Sequence, residues 1–367
     1  MMKVNIVQTA MADYRDNFVD MLLEENKFEI SIYTGKYYFN KTTKTSSNIL
    51  SKKNVFLVKN IYLFRRSMLF QLLPFIELFK CEILIIELNP RILSNIPLIL
   101  IRKILGKKTL MWGHVWSRSG PLSRNEILRS NYRKISDGLI LYTEQQKKEL
   151  LSKENFKDKI YVAPNSIYRY SQMSTDKVEP KDLIYVGRLV PEKKIDLLLK
   201  AIGQYKAYFD NIDNFKLQIV GSGTQEYTDY LFNILNKEGI NGMVNFHGHI
   251  SDVNRLREIY SRAFFSISPG YVGLSLTQSL SFSTPMIISK NEHHSPEIEL
   301  FDEGKNGIYF KTDNIEDLYR SIKGLYENYD KWVEKSEVLA KECQLNYSVE
   351  SMVNGFLKAC RNNYETR

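Results

Sequence analysis

The sequence predicts an α/β protein in which parallel sheets are wrapped by helices. Short apolar runs of strand length alternate along the chain with stretches of helical periodicity. Glycines follow directly after several of these runs, where a parallel sheet turns from strand to helix. The chain has 367 residues, which at about 150 residues per domain leaves room for two domains with separate cores.

The first predicted domain covers residues 1–168, and each of its predicted strands is a short apolar run. These strands are Val4–Val7, Glu29–Tyr33, Ile83–Glu87, Thr109–Trp112, Gly138–Tyr142 and Lys159–Val162. Residues 169–181 follow them; they are polar, contain Pro180 and lack periodicity, which is typical of a linker.

The second predicted domain covers residues 182–346 and alternates strands with helices regularly. Its predicted strands begin at Leu183, Phe215, Val244, Ala263 and Met286, and its predicted helices include Tyr227–Glu238 and Val253–Arg262. Ligands of such sheets gather at the carboxyl ends of the strands. Four glycines are expected at those ends: Gly187, Gly221, Gly248 and Gly270.

Composition and motifs limit the kinds of partner and metal site that the sequence allows. The formal net charge of +9 is compatible with nucleic acid, acidic lipid or a nucleotide-sugar as partner. No helix-turn-helix, zinc finger or RNA-binding aromatic pattern occurs, so we expect no nucleic-acid partner. The three cysteines form no CxxC pair or cluster with histidine, so neither a zinc site nor a disulfide framework is indicated. With no signal-peptide pattern at the start, we expect a cytoplasmic protein.

Two segments raise the question of membrane contact, although neither offers the roughly 20 uninterrupted apolar residues of a spanning helix. Residues 92–105, ILSNIPLILIRKIL, are interpreted as a helix packed on a sheet, with a membrane-surface helix as the alternative. Residues 61–80, IYLFRRSMLFQLLPFIELFK, combine aromatic, aliphatic and basic side chains, which suits an anionic bilayer surface. Peripheral contact with the inner membrane face is therefore kept as an expectation.

A basic loop between the first strand and first helix of the second domain predicts an anion site. Arg188 and Lys193 lie between the apolar run that ends at Val186 and the helical stretch that begins near Ile195. A helix amino terminus offers unpaired N–H groups and the positive end of a dipole, so two cations beside it suit a phosphate or diphosphate. The alternative is a solvated basic turn.

Five segments of the second half carry a family resemblance. They are YVGRLVPEKKIDLLLKAI, IVGSG, VNFHGHI, SPGYVGLSLTQSLSFSTPMII and SPEIELFDEGKNGIYF. In order and spacing they resemble the carboxyl-terminal domain of glycosyltransferase family four, retaining enzymes of the GT-B fold. The resemblance implies two Rossmann-like domains facing across a cleft. It assigns residues 1–168 to the acceptor side, 182–346 to the donor and 347–367 to a helix that crosses back to the first domain.

The resemblance also implies which residues bind a nucleoside-diphosphate sugar. The counterparts of Arg188 and Lys193 hold the diphosphate, whose charge grows as the anomeric bond breaks, and with both present no metal is expected. His114, at the end of KTLMWGH, matches a histidine close to the transferred sugar, with a purely structural histidine as the alternative. The residues expected to line the donor are Gly187, Gly270, Tyr271, Val272, Gly273, Leu274, Ser275, Gln278, His249 and Ile250.

Two positions depart from the family pattern. The family places a glutamate at each of the positions occupied here by Gly270 and Gln278. Gln278 keeps a carbonyl acceptor for a ribose hydroxyl, whereas Gly270 offers only backbone. Either the chain belongs to a divergent subgroup that contacts the sugar with other groups, or the domain no longer catalyses transfer. His294 or Glu297 is proposed to replace the missing loop glutamate; alternatively, Glu297 only stabilises the first turn of its helix.

The acceptor side is harder to interpret, because the first strand is followed by Ala10 and Ala12 where many relatives have glycines. Asp13, Tyr14 and Arg15 are expected to line the acceptor there. No positioned nucleophilic carboxylate is evident in the sequence, so same-face attack assisted by the leaving phosphate is favoured over a covalent intermediate.

The expected function is a retaining, metal-independent, hexosyltransferase-type glycosyltransferase without a cofactor. Its expected substrates are a nucleoside-diphosphate sugar and a hydroxyl of a glycan or lipid-linked acceptor, in bacterial surface polysaccharide biosynthesis. A non-catalytic nucleotide-sugar-binding protein of the GT-B fold and a GT-B nucleotide-sugar epimerase are the alternatives.

Overall fold

The structure is a computed structural model that describes residues 1–39, 43–117, 120–156 and 159–365. The chain divides into two compact units. Unit 1 comprises Met1–Ile167 together with the chain from Ser348 onwards, and unit 2 comprises Tyr168–Tyr347. The sequence places the corresponding boundaries at residues 168 and 347, so the observed and predicted divisions differ by one residue at each.

Unit 1 is built on a seven-stranded sheet in the order β3-β2-β1-β6-β7-β8-β9, in which every described pair of neighbours is parallel. A separate antiparallel hairpin is formed by β4 and β5. The strands are β1 (Met2–Gln8), β2 (Phe28–Thr34), β3 (Val55–Leu57), β4 (Lys59–Leu63), β5 (Met68–Leu72), β6 (Ile83–Glu87), β7 (Lys108–Trp112), β8 (Gly138–Leu141) and β9 (Ile160–Val162).

Helices cover both faces of this sheet. They are α1 (Asp16–Leu23), α2 (Ser47–Leu50), α3 (Phe75–Lys80), α4 (Asn95–Ile104), α5 (Glu126–Lys134), α6 (Glu144–Leu151) and α15 (Val349–Glu365). The central strands are largely apolar because both of their faces are buried; β6, for example, has the sequence ILIIE with its four aliphatic residues buried.

Helix α15 returns the chain from unit 2 to unit 1. Its Phe356 is 1% exposed and meets Trp112 edge to face, with ring centroids 4.6 Å apart. Phe18 of α1 completes this aromatic cluster. The carboxyl-terminal helix is therefore part of the core of unit 1.

Unit 2 is built on a six-stranded parallel sheet in the order β12-β11-β10-β13-β14-β15. Counted from β10, this is the doubly wound order 3-2-1-4-5-6. The chain therefore leaves β10 in one direction and restarts on its other side with β13. The strands are β10 (Asp182–Val186), β11 (Leu217–Val220), β12 (Val244–Gly248), β13 (Ala263–Ser268), β14 (Met286–Ser289) and β15 (Gly307–Phe310).

Three helices of unit 2, α9, α10 and α12, begin directly after residues that cap them. The side chains of Thr224, Asp252 and Asn314 each accept a hydrogen bond from a backbone N–H of the following helix. The helices of unit 2 are α7 (Ile195–Gln204), α8 (Lys206–Asp210), α9 (Gln225–Glu238), α10 (Val253–Arg262), α11 (Leu274–Ser281), α12 (Ile315–Glu327), α13 (Tyr329–Ser336) and α14 (Leu339–Tyr347).

The segment 169–181, interpreted from the sequence as a linker, differs from that expectation because it belongs to unit 2. Lys177 donates hydrogen bonds through Nζ to the carbonyl oxygens of Tyr260 and Ala263 and to the hydroxyl of Thr284. The backbone N–H groups of Ser174 and Val178 also donate to carbonyls of unit 2. These bonds fix a polar segment that has no periodicity of its own.

Within the residues that the structure describes, no helix combines the length and apolar character needed to cross a bilayer.

Candidate functional site

The topological switch point of unit 2 lies between β10 and β13, and ligands of doubly wound sheets bind outside the carboxyl ends of the strands there. β10 is followed by Gly187 and Arg188, and β13 is followed shortly by Gly270 and Tyr271. A 3₁₀ turn, Pro191–Lys193, then leads from the first of these loops into α7. The sheet order therefore brings two loops distant in sequence to one place.

Both predicted cations contact Tyr271. Arg188 is exposed, and its Nη2 donates a hydrogen bond to the Tyr271 hydroxyl at 3.1 Å. Lys193 is 9% exposed; its Nζ donates to the Tyr271 carbonyl oxygen at 2.6 Å and lies 3.6 Å from the ring centroid. Tyr185 fixes the backbone of the first loop, because its hydroxyl donates to the Arg188 carbonyl oxygen at 2.8 Å. Arg188 and Lys193 are thus held next to one another by one residue.

Gly270 allows the two loops to touch. A Cβ atom at this position would lie 2.2 Å from the Glu192 carbonyl oxygen and 2.9 Å from the α-carbon of Lys193, both of which are backbone atoms. No side chain fits there unless the backbone moves. The loop after β13 and the turn that carries Lys193 are therefore in close backbone contact.

His294 supports the same loop from the other side. Its Nδ1 accepts a hydrogen bond from the Val272 N–H at 3.1 Å, which places the proton of the neutral ring on Nε2. Burial lowers the pKa of His294 below its ordinary value of 6.5, and the nearby Lys193 ammonium lowers it further. Nε2 itself is buried and has no hydrogen-bond partner within the described part of the chain. A neutral imidazole with a buried Nε2–H group thus stands near Lys193, and the Ser289 and Lys290 backbone and the Glu292 carboxylate partly offset the lowering of its pKa.

Further predicted donor residues lie in α11 and in the segments next to it. Gly273 precedes α11 and approaches the Ser295 hydroxyl, to which an added Cβ would lie 3.2 Å away. Leu274 and Ser275 form the first turn of α11 and are partly exposed, whereas Gln278, one turn later, is 9% exposed. Glu297 is 4% exposed in the 3₁₀ turn Pro296–Leu300.

His249 and Ile250 lie farther along the same edge of the sheet. Both follow β12, which β11 separates from β10, so they stand two strands from the loop that carries Arg188. His249 is exposed and Ile250 is partly exposed. The structure therefore brings together one set of residues in contact: Arg188, Lys193, Gly270, Tyr271, Val272 and His294. His249 and Ile250, which are also expected to line the donor, lie to the side of this set.

In unit 1, His114 lies two residues beyond the carboxyl end of β7 and is exposed. Its ring contacts the ring of Tyr142, with centroids 4.6 Å apart, and the Tyr142 hydroxyl accepts a hydrogen bond from Arg15 Nη2 at 3.4 Å. The carbonyl oxygen of His114 accepts from Arg129 at 3.1 Å.

The acceptor-side residues differ from one another in exposure. Asp13 and Tyr14 are exposed, as expected for residues that line a site. Arg15 requires a correction: it is 5% exposed, and its guanidinium carbon lies 4.9 Å from the ring centroid of Trp112. Because the guanidinium stacks on aromatic rings inside unit 1, it does not face solvent as an acceptor-lining group would.

Sequence reasoning missed Glu87, which ends β6 beside β1 at the switch point of the sheet in unit 1. Its carboxylate accepts hydrogen bonds from the Thr9 N–H at 3.1 Å, the Tyr38 hydroxyl at 3.2 Å and the Asn89 amide at 3.1 Å. That carboxylate raises the pKa of Tyr38 far above its ordinary value, chiefly by charge repulsion of the phenolate. The sequence does contain a signal for Glu87, because a carboxylate there ends an otherwise aliphatic run.

Comparison with known proteins gives consistent results. Residues 169–343 match the family model of the glycosyl transferases group 1. An uncharacterized glycosyltransferase of Haemophilus influenzae is 25% identical over 262 residues, 68% of each chain. The poly(ribitol-phosphate) α-N-acetylglucosaminyltransferase of Staphylococcus aureus is 22% identical over 240 residues, which span 65% of this chain and 47% of that protein.

The fold comparison extends over nearly the whole chain. The crystal structure of HepE from Anabaena in complex with UDP superposes with a TM-score of 0.72 at 12% identity, covering 99% of this chain and 100% of that one. The α/β fold class predicted from the sequence is confirmed by this agreement. The protein has the GT-B fold of the glycosyltransferases that it resembles, and its residues 169–343 match the glycosyl transferases group 1.

Proposed function

We propose that the protein is a retaining glycosyltransferase that moves a hexose from a nucleoside-diphosphate sugar to a hydroxyl of a glycan or lipid-linked acceptor. The observation that carries the proposal is the convergence of Arg188 and Lys193 on Tyr271 at the switch point of unit 2. A lone basic turn in solvent would not need a lysine that is 9% exposed and held at two points of one tyrosine.

The chemistry follows from where charge develops. When the bond between the anomeric carbon and the diphosphate breaks, negative charge accumulates on the leaving phosphate oxygens. The exposed guanidinium of Arg188 can give two parallel hydrogen bonds to these oxygens, while the buried ammonium of Lys193 acts as a fixed point charge. Fixed cations of this kind lower the barrier because they need no reorganisation during the reaction. We propose that they act without a metal.

In this proposal His294 binds the transferred sugar or the phosphate in place of the absent loop glutamate. Its Nε2–H is the donor that remains after Nδ1 has bound Val272, the residue that follows Tyr271 in the loop. It would donate to a sugar hydroxyl or to the phosphate. Because Nδ1 is already engaged, the ring is a hydrogen-bond donor and not a general base. His114 would play a similar donor or positioning role from unit 1.

Transfer with retention fits same-face attack, in which the leaving phosphate takes the proton of the attacking hydroxyl. The reacting hydroxyl oxygen forms the new bond to the anomeric carbon, the bond to the diphosphate oxygen breaks, and the proton passes to that oxygen. The similarity to a transferase named for poly(ribitol-phosphate) supports a polymer as the acceptor class. The similarity to HepE bound to UDP makes UDP-sugars the first donors to test.

The test is to incubate the full chain with UDP-, GDP- and dTDP-sugars and candidate glycan acceptors. Donor binding is followed by thermal shift, nucleotide release by a coupled assay and sugar products by mass spectrometry. A transferase releases nucleoside diphosphate and produces a heavier acceptor. A nucleotide-sugar-binding protein shows the thermal shift without release, and an epimerase converts the donor to an isomer in the absence of acceptor.

Arg188→Ala should abolish both the thermal shift and the release. Arg255→Ala is the matched control, because Arg255 is an exposed arginine of the same unit that pairs with Glu258 on the surface of α10. Full nucleotide release by Arg188→Ala would contradict the proposed role of the cation.

A further inference from the structure

Three consecutive helices of unit 1 form one continuous outer surface. The inner residues Leu78 of α3, Leu98 of α4 and Tyr132 of α5 belong to the same core on one face of the sheet. Helices α3 and α4 are in contact, and the Asn95 amide of α4 donates a hydrogen bond to the Tyr132 hydroxyl at 3.1 Å. The outer sides of the three helices therefore lie next to one another.

Helix α4 carries aliphatic residues on its outer side as well as on its inner side. Arg102 is completely buried and donates hydrogen bonds to the Cys81 and Lys108 carbonyl oxygens at 3.1 and 2.7 Å, which anchors the helix to the sheet. The outward side of α4 and its end carries aliphatic residues at helical spacing instead. These residues, with their exposed fractions, are Ile96 (40%), Leu100 (48%), Ile101 (40%), Ile104 (85%) and Leu105 (53%).

The neighbouring helices continue this apolar side. Around α3 the exposed aliphatic residues are Leu72 (49%) and Ile76 (67%). Around α5 they are Leu122 (94%), Ile127 (78%) and Leu128 (58%). All five exposed isoleucines of the described residues occur in these three helices. We call these ten residues the aliphatic surface. Contiguous apolar patches on a soluble protein mark a place of contact with a partner or a membrane.

Basic side chains outnumber acidic ones around the aliphatic surface. The acidic ones are the exposed Glu77 of α3 and Glu126 of α5, which pairs with Arg133. No aspartate or glutamate occurs from Arg91 to Asn125 in the sequence. Lys103 and Lys80 are exposed, and Lys107 lies beside Lys80, to whose carbonyl oxygen its Nζ donates at 3.4 Å. Contact with a second copy through this surface would set the lysines of one chain against those of the other. In an anionic bilayer the aliphatic residues contact the acyl chains, and the basic residues contact the anionic headgroups.

We propose that the aliphatic surface of unit 1 docks the protein onto an anionic lipid bilayer. α4 would lie at the interface with Leu100, Ile101 and Ile104 among the acyl chains, while Lys103 and Lys107 reach the phosphate headgroups. The bilayer would be the surface on which the protein meets a lipid-linked acceptor, and this part of the inference rests on the proposed function. It can be measured without any sugar transfer, so its failure and that of the proposed function are distinguishable.

The test is co-sedimentation of the full chain with phosphatidylcholine vesicles that contain or lack phosphatidylglycerol. Binding is expected only with phosphatidylglycerol and is expected to weaken as the salt concentration rises. The double variant Leu100→Asp/Ile104→Asp should lose binding by at least about tenfold, and Lys103→Glu/Lys107→Glu should lose the dependence on phosphatidylglycerol. Leu345→Asp is the matched control, since Leu345 is 73% exposed on α14 of unit 2.

Circular dichroism and thermal denaturation without ligand check that each variant is folded. Unchanged folding is expected because none of these side chains lies in the core. Three results would overturn the proposal. The first is wild-type protein that stays in the supernatant with both vesicle types, and the second is a double variant that binds as the wild type does. The third is a stable dimer in light scattering that Leu100→Asp/Ile104→Asp converts to monomers without any vesicle binding by the wild type.

Discussion

The ammonium of Lys193 lies 3.6 Å from the ring centroid of Tyr271 and donates a hydrogen bond to the carbonyl oxygen of the same residue at 2.6 Å. Tyr271 also accepts a hydrogen bond from Arg188 through its hydroxyl. A single residue after β13 therefore sets the positions of both cations that follow β10. We interpret Tyr271 as the positioning residue of the donor site, and its side chain offers a way to separate the two contacts.

Tyr271→Phe removes the hydroxyl but keeps the ring and the backbone carbonyl. Because Arg188 is exposed, loss of this hydrogen bond should weaken donor binding only by about threefold. Tyr271→Ala also removes the cation–π contact with Lys193, which is worth about 0.5–2 kcal/mol, and should weaken binding further. Calorimetric titration with nucleoside diphosphate measures both. Equal binding by wild type and Tyr271→Ala would show that the ring does not position the lysine.

Gly270→Ala should disrupt the turn that carries Lys193. The added Cβ would meet the Glu192 carbonyl oxygen at 2.2 Å, so the two loops must separate. We expect a loss of about 1–3 kcal/mol in the free energy of unfolding of unit 2 and a loss of donor affinity. Gly324→Ala is the control: it lies within α12 with open space around it and should be neutral or stabilising. Thermal denaturation and donor titration of both variants give the comparison.

The stability of the donor loop should depend on pH through His294. Its pKa in the folded protein lies below the ordinary value of 6.5, so around about pH 6 the unfolded chain binds more protons than the folded protein does. The free energy of unfolding therefore rises with pH in this range and falls on acidification. In His294→Gln this part of the dependence should disappear. Urea unfolding at a series of pH values measures it, and identical slopes in the two proteins would contradict the assignment.

Helix α15 should contribute strongly to unit 1. Phe356→Ala removes a ring that is 1% exposed and contacts Trp112, for which we expect a loss of about 3–5 kcal/mol in the free energy of unfolding of unit 1. Tyr364→Ala, on the same helix but 46% exposed, should cost much less. Because two units need not unfold together, hydrogen exchange followed separately in peptides of each unit is the suitable measurement.

Local signals in the sequence predicted much of the fold. Helix α10 begins and ends where the sequence predicts, because Asp252 caps it and apolar residues recur at helical spacing. The pair Arg188 and Lys193 was likewise recognisable from its place between an apolar run and a helix. These features depend on residues that are close together in the chain.

Features that depend on distant residues were not predicted. The hairpin of β4 and β5 turns at Phe64, Arg65 and Arg66, all with positive φ although none is glycine or asparagine, so the turn carries no sequence signal. The burial of Arg15 and of Arg102 likewise depends on aromatic rings and carbonyl groups from other elements. For the same reason nothing in the sequence indicated that Tyr271 joins the two cations.

Binding of the donor diphosphate by Arg188 and Lys193 is the central claim. The direct test is calorimetric titration of nucleoside diphosphates into the wild type, Arg188→Ala and Lys193→Ala. Arg255→Ala and Lys200→Ala are the controls, because both side chains pair with carboxylates of their own helices in the same unit. We predict that each site variant binds diphosphate at least about tenfold more weakly, a change of about 1.4 kcal/mol, and that both controls bind as the wild type does. Undiminished diphosphate binding by Arg188→Ala and Lys193→Ala in folded protein would contradict it.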